Sequence, residues 1–586
     1  MLGKRGPQRG LFEADTVYGD FVGRDTFYGF LAAQRGVLFR DEDCAALYTL
    51  DNGRPSVPPS LLATALVLQT YDGVSDEEAR QRATYDLRWK VALGVEMDAR
   101  PFAKSTLQEF RAQLIVHHEQ RRVFERSLTL AQERGHFPRQ QKRRVALDTT
   151  NILGRGAVKD TYNLLADGIQ QVLRVLAGQA AAPLVEWATR AGYGRYVSSP
   201  SLKGGTPIAW DDPAARDRFL GEIVADADRL LEQVRAARAA LEAGGPADSA
   251  LVTAVGLLSR VLQQDVERSA SGPTLKQGTA PDRLVSIHDP EMRHGRKSAR
   301  KRFDGHKAAV AVDTDSQLIT AVDVLAGNAP DDQGALGLVE QSEQATGCAV
   351  GETYGDCAYG DGATRQAFAE VDRVLIAKVP ALTNQGRFPK TAFQIDLGAR
   401  ACTCPGEQTT HDLRRIAGGQ QGFFFAAAVC GACPLRAQCV AGAGGRTIAL
   451  HPQEALLQAA RAFQASPAFA EARRRRQTVE HRLARLVQLG LRQARYVGRT
   501  KTLFQLLMAA AVANLTLLAQ ASITSPAHRA PVDAAAGAVL LLAALLALWT
   551  IRGAPSRPLG ASAALRSGHL FAVRARPKLA AFRPDF

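Results

Sequence analysis

A chain of 586 residues, 46% apolar and 22% charged, has the ordinary balance of a globular protein and the length for several domains with buried cores. Its formal net charge of +15 is less ordinary and favours a polyanionic partner, nucleic acid ahead of a membrane. Eight cysteines in so long a chain make no disulfide scaffold. The first eleven residues lack the apolar stretch of a signal peptide, so a reducing cytoplasmic compartment is expected.

Residues 1–54 show no clear period and read as a partly ordered lead-in. After Pro58-Pro59, Leu61, Leu62, Ala65, Leu66 and Leu68 keep helical spacing. Ser75-Asp-Glu-Glu78 is a capping box opening a second helix through Arg80, Arg82, Arg88 and Lys90. Ser105-Thr-Leu-Gln108 opens a third, with Phe110, Arg111 and Leu114. Short helices with basic faces suit a helix-turn-helix type of DNA module or a small packed bundle, and the pattern alone supports both. The text Asp86-Leu-Arg-Trp-Lys-Val-Ala-Leu-Gly94, followed by Phe102-Ala-Lys-Ser-Thr-Leu107 and Phe110-Arg111, resembles the N-terminal helical domain of bacterial insertion-sequence transposases over most of 55–135.

Arg143-Arg144-Val145-Ala146-Leu147-Asp148 then reads as a short buried strand ending on one acid, with Thr149, Thr150, Asn151 and Ile152 behind it. An acid at the carboxyl end of a sheet strand faces the crevice where ligands and metals sit. A long helical stretch at 158–268, including 217–242, reads as an insertion between strands. Residues 293–307 form a dense basic loop holding Arg296, Lys297, Arg300, Lys301 and Arg302, suited either to phosphates or to plain solvation. Strands are expected at 306–313 and 317–325, a helix at 332–344, and a strand running into the Gly-rich turn Gly355-Asp356-Cys-Ala-Tyr-Gly360. Strand, two hairpin strands, helix, strand is the ribonuclease-H-like order, in which Asp148 and Asp356 enter one crevice. Asp361, the local rival, looks more like a turn residue. A fifth strand is expected at 371–379.

Five cysteines crowd between Cys402 and Cys439. Cys430-x-x-Cys433 is a correctly spaced zinc pair, and Cys404 and Cys439 complete the expected four, with Cys402 or His411 as substitutes. A strongly basic helix follows, with Arg473, Arg474, Arg475 and Arg476 ahead of Glu480; Arg476 and Glu480 share one face. The fold pattern wants its third acid on this helix. An apolar helix at 503–518 is expected to pack on the sheet. The alanine-rich uncharged run at 534–551 reads as a buried helix or terminal extension rather than a membrane span.

Ala146-Leu-Asp148-Thr-Thr, Gly355-Asp356-Cys-Ala-Tyr-Gly, Cys404-Pro-Gly with Cys430-x-x-Cys433-Pro, and Arg476-x-x-x-Glu480 together resemble the DDE-type transposases of bacterial insertion sequences, over roughly 55–520. The expected class is α/β: an N-terminal all-α domain (55–138) and a ribonuclease-H-like catalytic domain (139–520). That domain carries a helical insertion (155–280) after its first strand, a Cys-rich insertion (388–445) before its last catalytic helix, and a C-terminal extension (521–586). The resemblance implies that Asp148, Asp356 and Glu480 bind two Mg²⁺ ions, with Mn²⁺ as an alternative, and that Arg476 steadies phosphate charge. It also implies a structural Zn²⁺, double-stranded DNA (inverted-repeat ends and target) as partner, a homodimer or higher oligomer on DNA, and a bacterial, nucleoid-associated location without a membrane. Arg473, Arg474, Arg475 and Lys501 join the basic loop as candidate DNA contacts. Relatives often place a Tyr three residues before the Arg and a Lys seven after the Glu; here these are Arg473 and Val487, which leaves both roles open. The expected chemistry is cleavage at the repeats and strand transfer by a 3′-hydroxyl, without a covalent enzyme–DNA intermediate. The rival readings are an inactive DNA-binding regulator derived from a transposase and a nuclease that cuts without joining.

Overall fold

The computed structural model describes residues 1–6, 12–49, 53–238, 245–298 and 300–524. The chain divides into a unit of Met1–Ala521 and one of Ser522–Phe586, and the second lies almost wholly outside the described residues. The apolar run at 534–551 and the end of the helix expected at 217–242 fall outside them too.

The N-terminal region is helical from Ala14 onwards. Residues expected as a lead-in form Ala14–Val22 and Phe27–Gln34. The second of these buries Phe27, Tyr28, Phe30, Leu31 and Ala32, nearly every side chain it has. A helix covered all round carries no amphipathic stripe, which is why no period was visible. Asp41, in the same stretch, accepts the Ser60 N–H at 2.9 Å and so satisfies an orphan donor at the start of the helix Pro59–Asp72. The Ser75 box forms as expected, with Ser75 Oγ accepting from Glu78 N–H at 3.2 Å and Glu78 returning the bond at 2.9 Å. That helix stops at Tyr85, however, instead of running on to Lys90. The Asp86 carboxylate accepts the Arg88 N–H and caps a separate helix, Leu87–Leu93, whose Trp89 is fully buried. The third helix is Lys104–Val116; no side chain caps it, so Ser105 does not open it.

The central sheet contains β1 (Arg143–Leu153), β2 (Arg293–Arg296), β3 (Arg302–Asp313), β4 (Ile319–Ala326), β5 (Val350–Tyr354) and β6 (Val374–Ile376). β1 lies between antiparallel β3 and parallel β5; β6 continues parallel beyond β5, and β2 and β4 both pair with β3. The basic stretch expected as a loop is therefore a β2–β3 hairpin, with Arg296 opposite Arg302 and the other cations at its tip. The strand expected at 371–379 is only three residues long. β1 also runs five residues past Asp148, so the acid sits inside the strand and not at its end.

One face of the sheet buries Ala146, Val310, Val312 and Ile319 with Val479 and Leu483 of the helix Ala468–Leu486 and Leu506, Leu507 and Met508 of the helix Arg499–Thr524. This core also takes in the N-terminal helices. The other face buries Val145, Leu147, Ala309 and Ala311 beneath Leu338 and Val339 of the helix Ala335–Thr346. The long insertion holds the helices Thr161–Gln179, Pro213–Arg238 and Pro246–Asp265 and has a hydrophobic cluster of its own. The Cys-rich stretch forms a third module around Phe393, Phe423 and Phe425. Arg499–Ser522 is apolar and long enough to cross a membrane, but 83% of its apolar window is buried inside the protein, which makes it a core helix.

Asn514 of that helix is fully buried, and its amide both accepts the Ile319 N–H (2.9 Å) and donates to the Ile319 carbonyl (2.8 Å). Asn514→Ala leaves both groups without partners and should lower the unfolding free energy by about 2–4 kcal/mol in denaturant titrations.

Candidate functional site

The parallel register pairs Ala146 with Tyr354 and ends there. Asp148 and Asp356 each lie two residues further along, so the two strands deliver their acids at one level. Side chains alternate along a strand, which puts Asp148 on the same face as Ala146, under the helix Ala468–Leu486. Arg476 projects from that helix. Its guanidinium donates to Asp148 Oδ2 at 3.3 Å and also to Glu480 Oε1 one turn along. Arg476 lines a cavity of about 180 Å³ together with Asp356. All three acids are thus grouped about one arginine.

Asp148 is set apart mainly by its burial. Burial raises its carboxyl from an ordinary 3.8 to about 6, and neighbouring Asp356 and Glu480 push the same way. The Thr149 N–H, donating to Asp148 Oδ1 at 2.7 Å, and Arg476 oppose the rise. Beneath them, the buried Tyr359 hydroxyl is raised well above its usual value by burial and by the field of Asp148, Asp331, Asp356 and Asp332. Sequence reading missed Asp331, the first of two consecutive acids after β4. It accepts from Thr149 Oγ1 (2.8 Å) and from the buried Lys307 Nζ (2.7 Å). Asp361 instead caps the helix Gly362–Glu370, accepting the N–H groups of Ala363 (2.8 Å) and Thr364 (3.0 Å).

The donor chemistry at Asp148, Asp356 and Glu480 is hard oxygen throughout, as a divalent cation such as Mg²⁺ prefers. The raised Asp148 carboxyl marks a place where positive charge is wanted, and Arg476 supplies it here. Among the described residues, no three His, Cys, Asp or Glu side chains are gathered into a ready metal cage.

In the Cys-rich module, Cys404, Cys430, Cys433 and Cys439 line one small cavity of about 20 Å³. Burial raises the Cys439 thiol, and the surrounding Cys430, Cys404 and Cys433 add to the rise. Gly406 leaves room there: a Cβ on it would stand 3.1 Å from Cys433 Sγ and 3.7 Å from Cys404 Sγ. Cys402 is instead a core residue of the strand Ala401–Thr403, its thiol pushed up to about 11 by burial, and His411 is exposed.

Lys297, Arg300, Lys301 and Arg302 are exposed at or beside the hairpin tip with Arg296, and Lys501 is exposed in the first turn of its helix. Arg474 pairs with Glu471 (3.1 Å), and Arg475 pairs with Glu471 (3.3 Å) and Asp315 (3.5 Å). A larger groove of about 600 Å³ beside β6 contains none of the three acids.

Two stretches of the chain match known families. Residues 403–519 match a family described as a transposase DDE domain, and residues 20–113 match a transposase domain (DUF772). No curated protein and no solved structure matches the chain at significance.

Because the folded value of Asp148 lies above the ordinary one, the folded state holds that proton more tightly than the unfolded chain does. The resulting stability is present in full below about pH 4 and is lost as pH rises towards 6, at about 1.4 kcal/mol per unit. In chelator, Asp148→Asn should therefore be more stable than wild type at pH 7–8, by up to about 3 kcal/mol, and the gap should close near pH 4. Thermal unfolding across this range measures it.

Proposed function

We propose a reaction for a chain that its two matched segments make a DDE-type transposase of an insertion sequence: it cuts phosphodiester bonds at the element's terminal inverted repeats and joins the freed 3′-hydroxyls to target DNA. The carrying observation is the grouping of Asp148, Asp356 and Glu480 about Arg476. The strand order, with β1 between antiparallel β3 and parallel β5, supports a ribonuclease-H-like core.

In this reading the three carboxylates hold two divalent cations, Mg²⁺ or Mn²⁺. When bound, such ions lower the pKa of an attacking water and stabilise charge on the phosphoryl oxygens and leaving group. The chain's own contributions are positional. The Asp331–Thr149 contact and the Thr149 N–H fix the Asp148 carboxylate. Arg476 is the guanidinium nearest a phosphate oxygen once its carboxylates are otherwise neutralised. The exposed hairpin cations and the Arg473–Arg475 run follow the DNA backbone without reading sequence. No side chain serves as nucleophile. A DNA-binding regulator remains the second reading, favoured by the engagement of Arg476 with two of the acids; repeat binding without any nicking would select it.

Asp148→Asn, Asp356→Asn and Glu480→Gln should each reduce cleavage of a repeat-bearing duplex by more than the roughly 100-fold typical of residues that only orient a metal ligand, while leaving duplex affinity intact. Full cleavage by any one of them removes that acid from the site. As a readout independent of turnover, Mg²⁺ should raise the melting temperature of wild type and not that of Asp148→Asn.

The four thiols around Gly406 are proposed to hold a structural zinc, which four thiolates bind tetrahedrally. The purified protein should then carry about one zinc per chain. Cys430→Ser with Cys433→Ser should lose it and lower the melting temperature, and Cys402→Ser should retain it. Metal-free protein of unchanged stability would refute this site.

A further inference from the structure

The turn after β5 and the end of β6 meet beside Asp356, and sequence specifies how closely. A Cβ at Gly360 would stand 1.9 Å from the Lys378 carbonyl oxygen, so only glycine lets the turn come this near. Arg365, buried, then ties the two segments together by donating to the carbonyls of Gly360 (3.1 Å), Leu375 (3.3 Å) and Ala377 (2.6 Å). The Gly355 N–H adds a bond to the Ile376 carbonyl at 3.0 Å. The result carries Lys378 to the cavity that holds Asp356, which Phe469 and Arg473 of the acid-bearing helix also line.

Charge at this cavity is out of balance. Of the four consecutive arginines, Arg474, Arg475 and Arg476 have carboxylate partners. Among the described residues, Arg473 and Lys378 make no ion pair, and both are exposed where they line the cavity. Asp356 is the one carboxylate in the lining, and its Oδ1 is occupied by the Ala358 N–H at 2.8 Å. Arg476, already paired with Asp148 and Glu480, also lines the cavity, and Tyr354, Cys357 and the apolar Ile376, Phe469 and Ala472 complete the wall. The cavity, about 180 Å³, is open to solvent and admits a charged group at its rim.

We propose that Lys378 and Arg473 form a subsite for the DNA phosphate next to the bond being cut, with Phe469 and Ile376 against its sugar–base face. The subsite rests on the transposase reading above and deepens it: two cations, one from the end of β6 and one from the helix, hold the strand so that the neighbouring phosphodiester meets Asp356. Lys378 is a positioning residue.

The test uses the full chain in chelator, with a duplex built from the DNA that flanks the coding sequence, and affinity measured against salt. Each phosphate neutralised by a cation adds about 0.9 to the slope of log affinity against log salt. Lys378→Ala and Arg473→Ala should each flatten the slope by about one, while Lys378→Arg restores it. Neutral methylphosphonates placed singly along the strand should weaken wild type at one flanking position and have no further effect there on Lys378→Ala. An unchanged slope, or a variant as sensitive as wild type at every position, would overturn the subsite. So would protection of Lys378 from acylation by inorganic phosphate but not by DNA, which would assign a free anion instead. A wild type that shows the slope and the single sensitive position yet never nicks DNA would support the subsite and sink the transposition reading.

Discussion

The parallel pairing of β1 with β5, and its register, is the constraint on which the site depends. Ala146 opposite Tyr354 fixes Asp148 and Asp356 at one height, and the pleat directs Asp148 towards the face covered by the Arg476 helix. A slip of one residue would turn Asp148 under, into the core of Val145 and Leu147, and bring a leucine to the acids. The slip is resisted by the many apolar side chains committed to each face, and by the buried pair of Arg143 with Asp313, 2.9 Å apart across β1 and β3. The hydrophobic pattern of the strand and the position of its acid are therefore one specification.

Grouping acids in this way works against folding. The Asp148 carboxyl is raised first by burial and then by Asp356 and Glu480, and Arg476 offsets part of the rise as an internal counter-ion. Placing the arginine one helical turn before Glu480 allows a single guanidinium to serve two carboxylates. Lys307 plays the same part for Asp331 at the edge of the group. The site is thus neutralised by side chains that can exchange partners, which suits a centre whose substrate is itself an anion.

What could be read from the sequence followed local pattern. The Ser75 box, the strand expected at 306–313 and the sharing of a helical face by Arg476 and Glu480 are short-range facts, and the structure agrees with them. Features set by tertiary context escaped. Phe27–Gln34 carries no stripe because it is buried nearly all round, and Asp86 divides two helices through a cap that the run of cations from Arg80 to Lys90 concealed. The basic stretch became a hairpin because Arg293–Arg296 found a partner in the first half of β3. Lys378 belongs to no motif; only the absence of a side chain at Gly360 and the ties from Arg365 bring it to Asp356, and neither is visible in the residues around it.

The helical insertion has its own apolar cluster and returns to the sheet near where it left: the Gly154 N–H, just past β1, bonds the Asp304 carbonyl of β3 at 2.8 Å. Closing a loop costs entropy that grows only with the logarithm of its length, so well over a hundred residues can hang from this junction at little more expense than a short turn. Evolution is accordingly free to lengthen, trim or replace that appendage without disturbing the spacing of the acids, and lineages sharing this chemistry can diverge there in whatever the appendage touches.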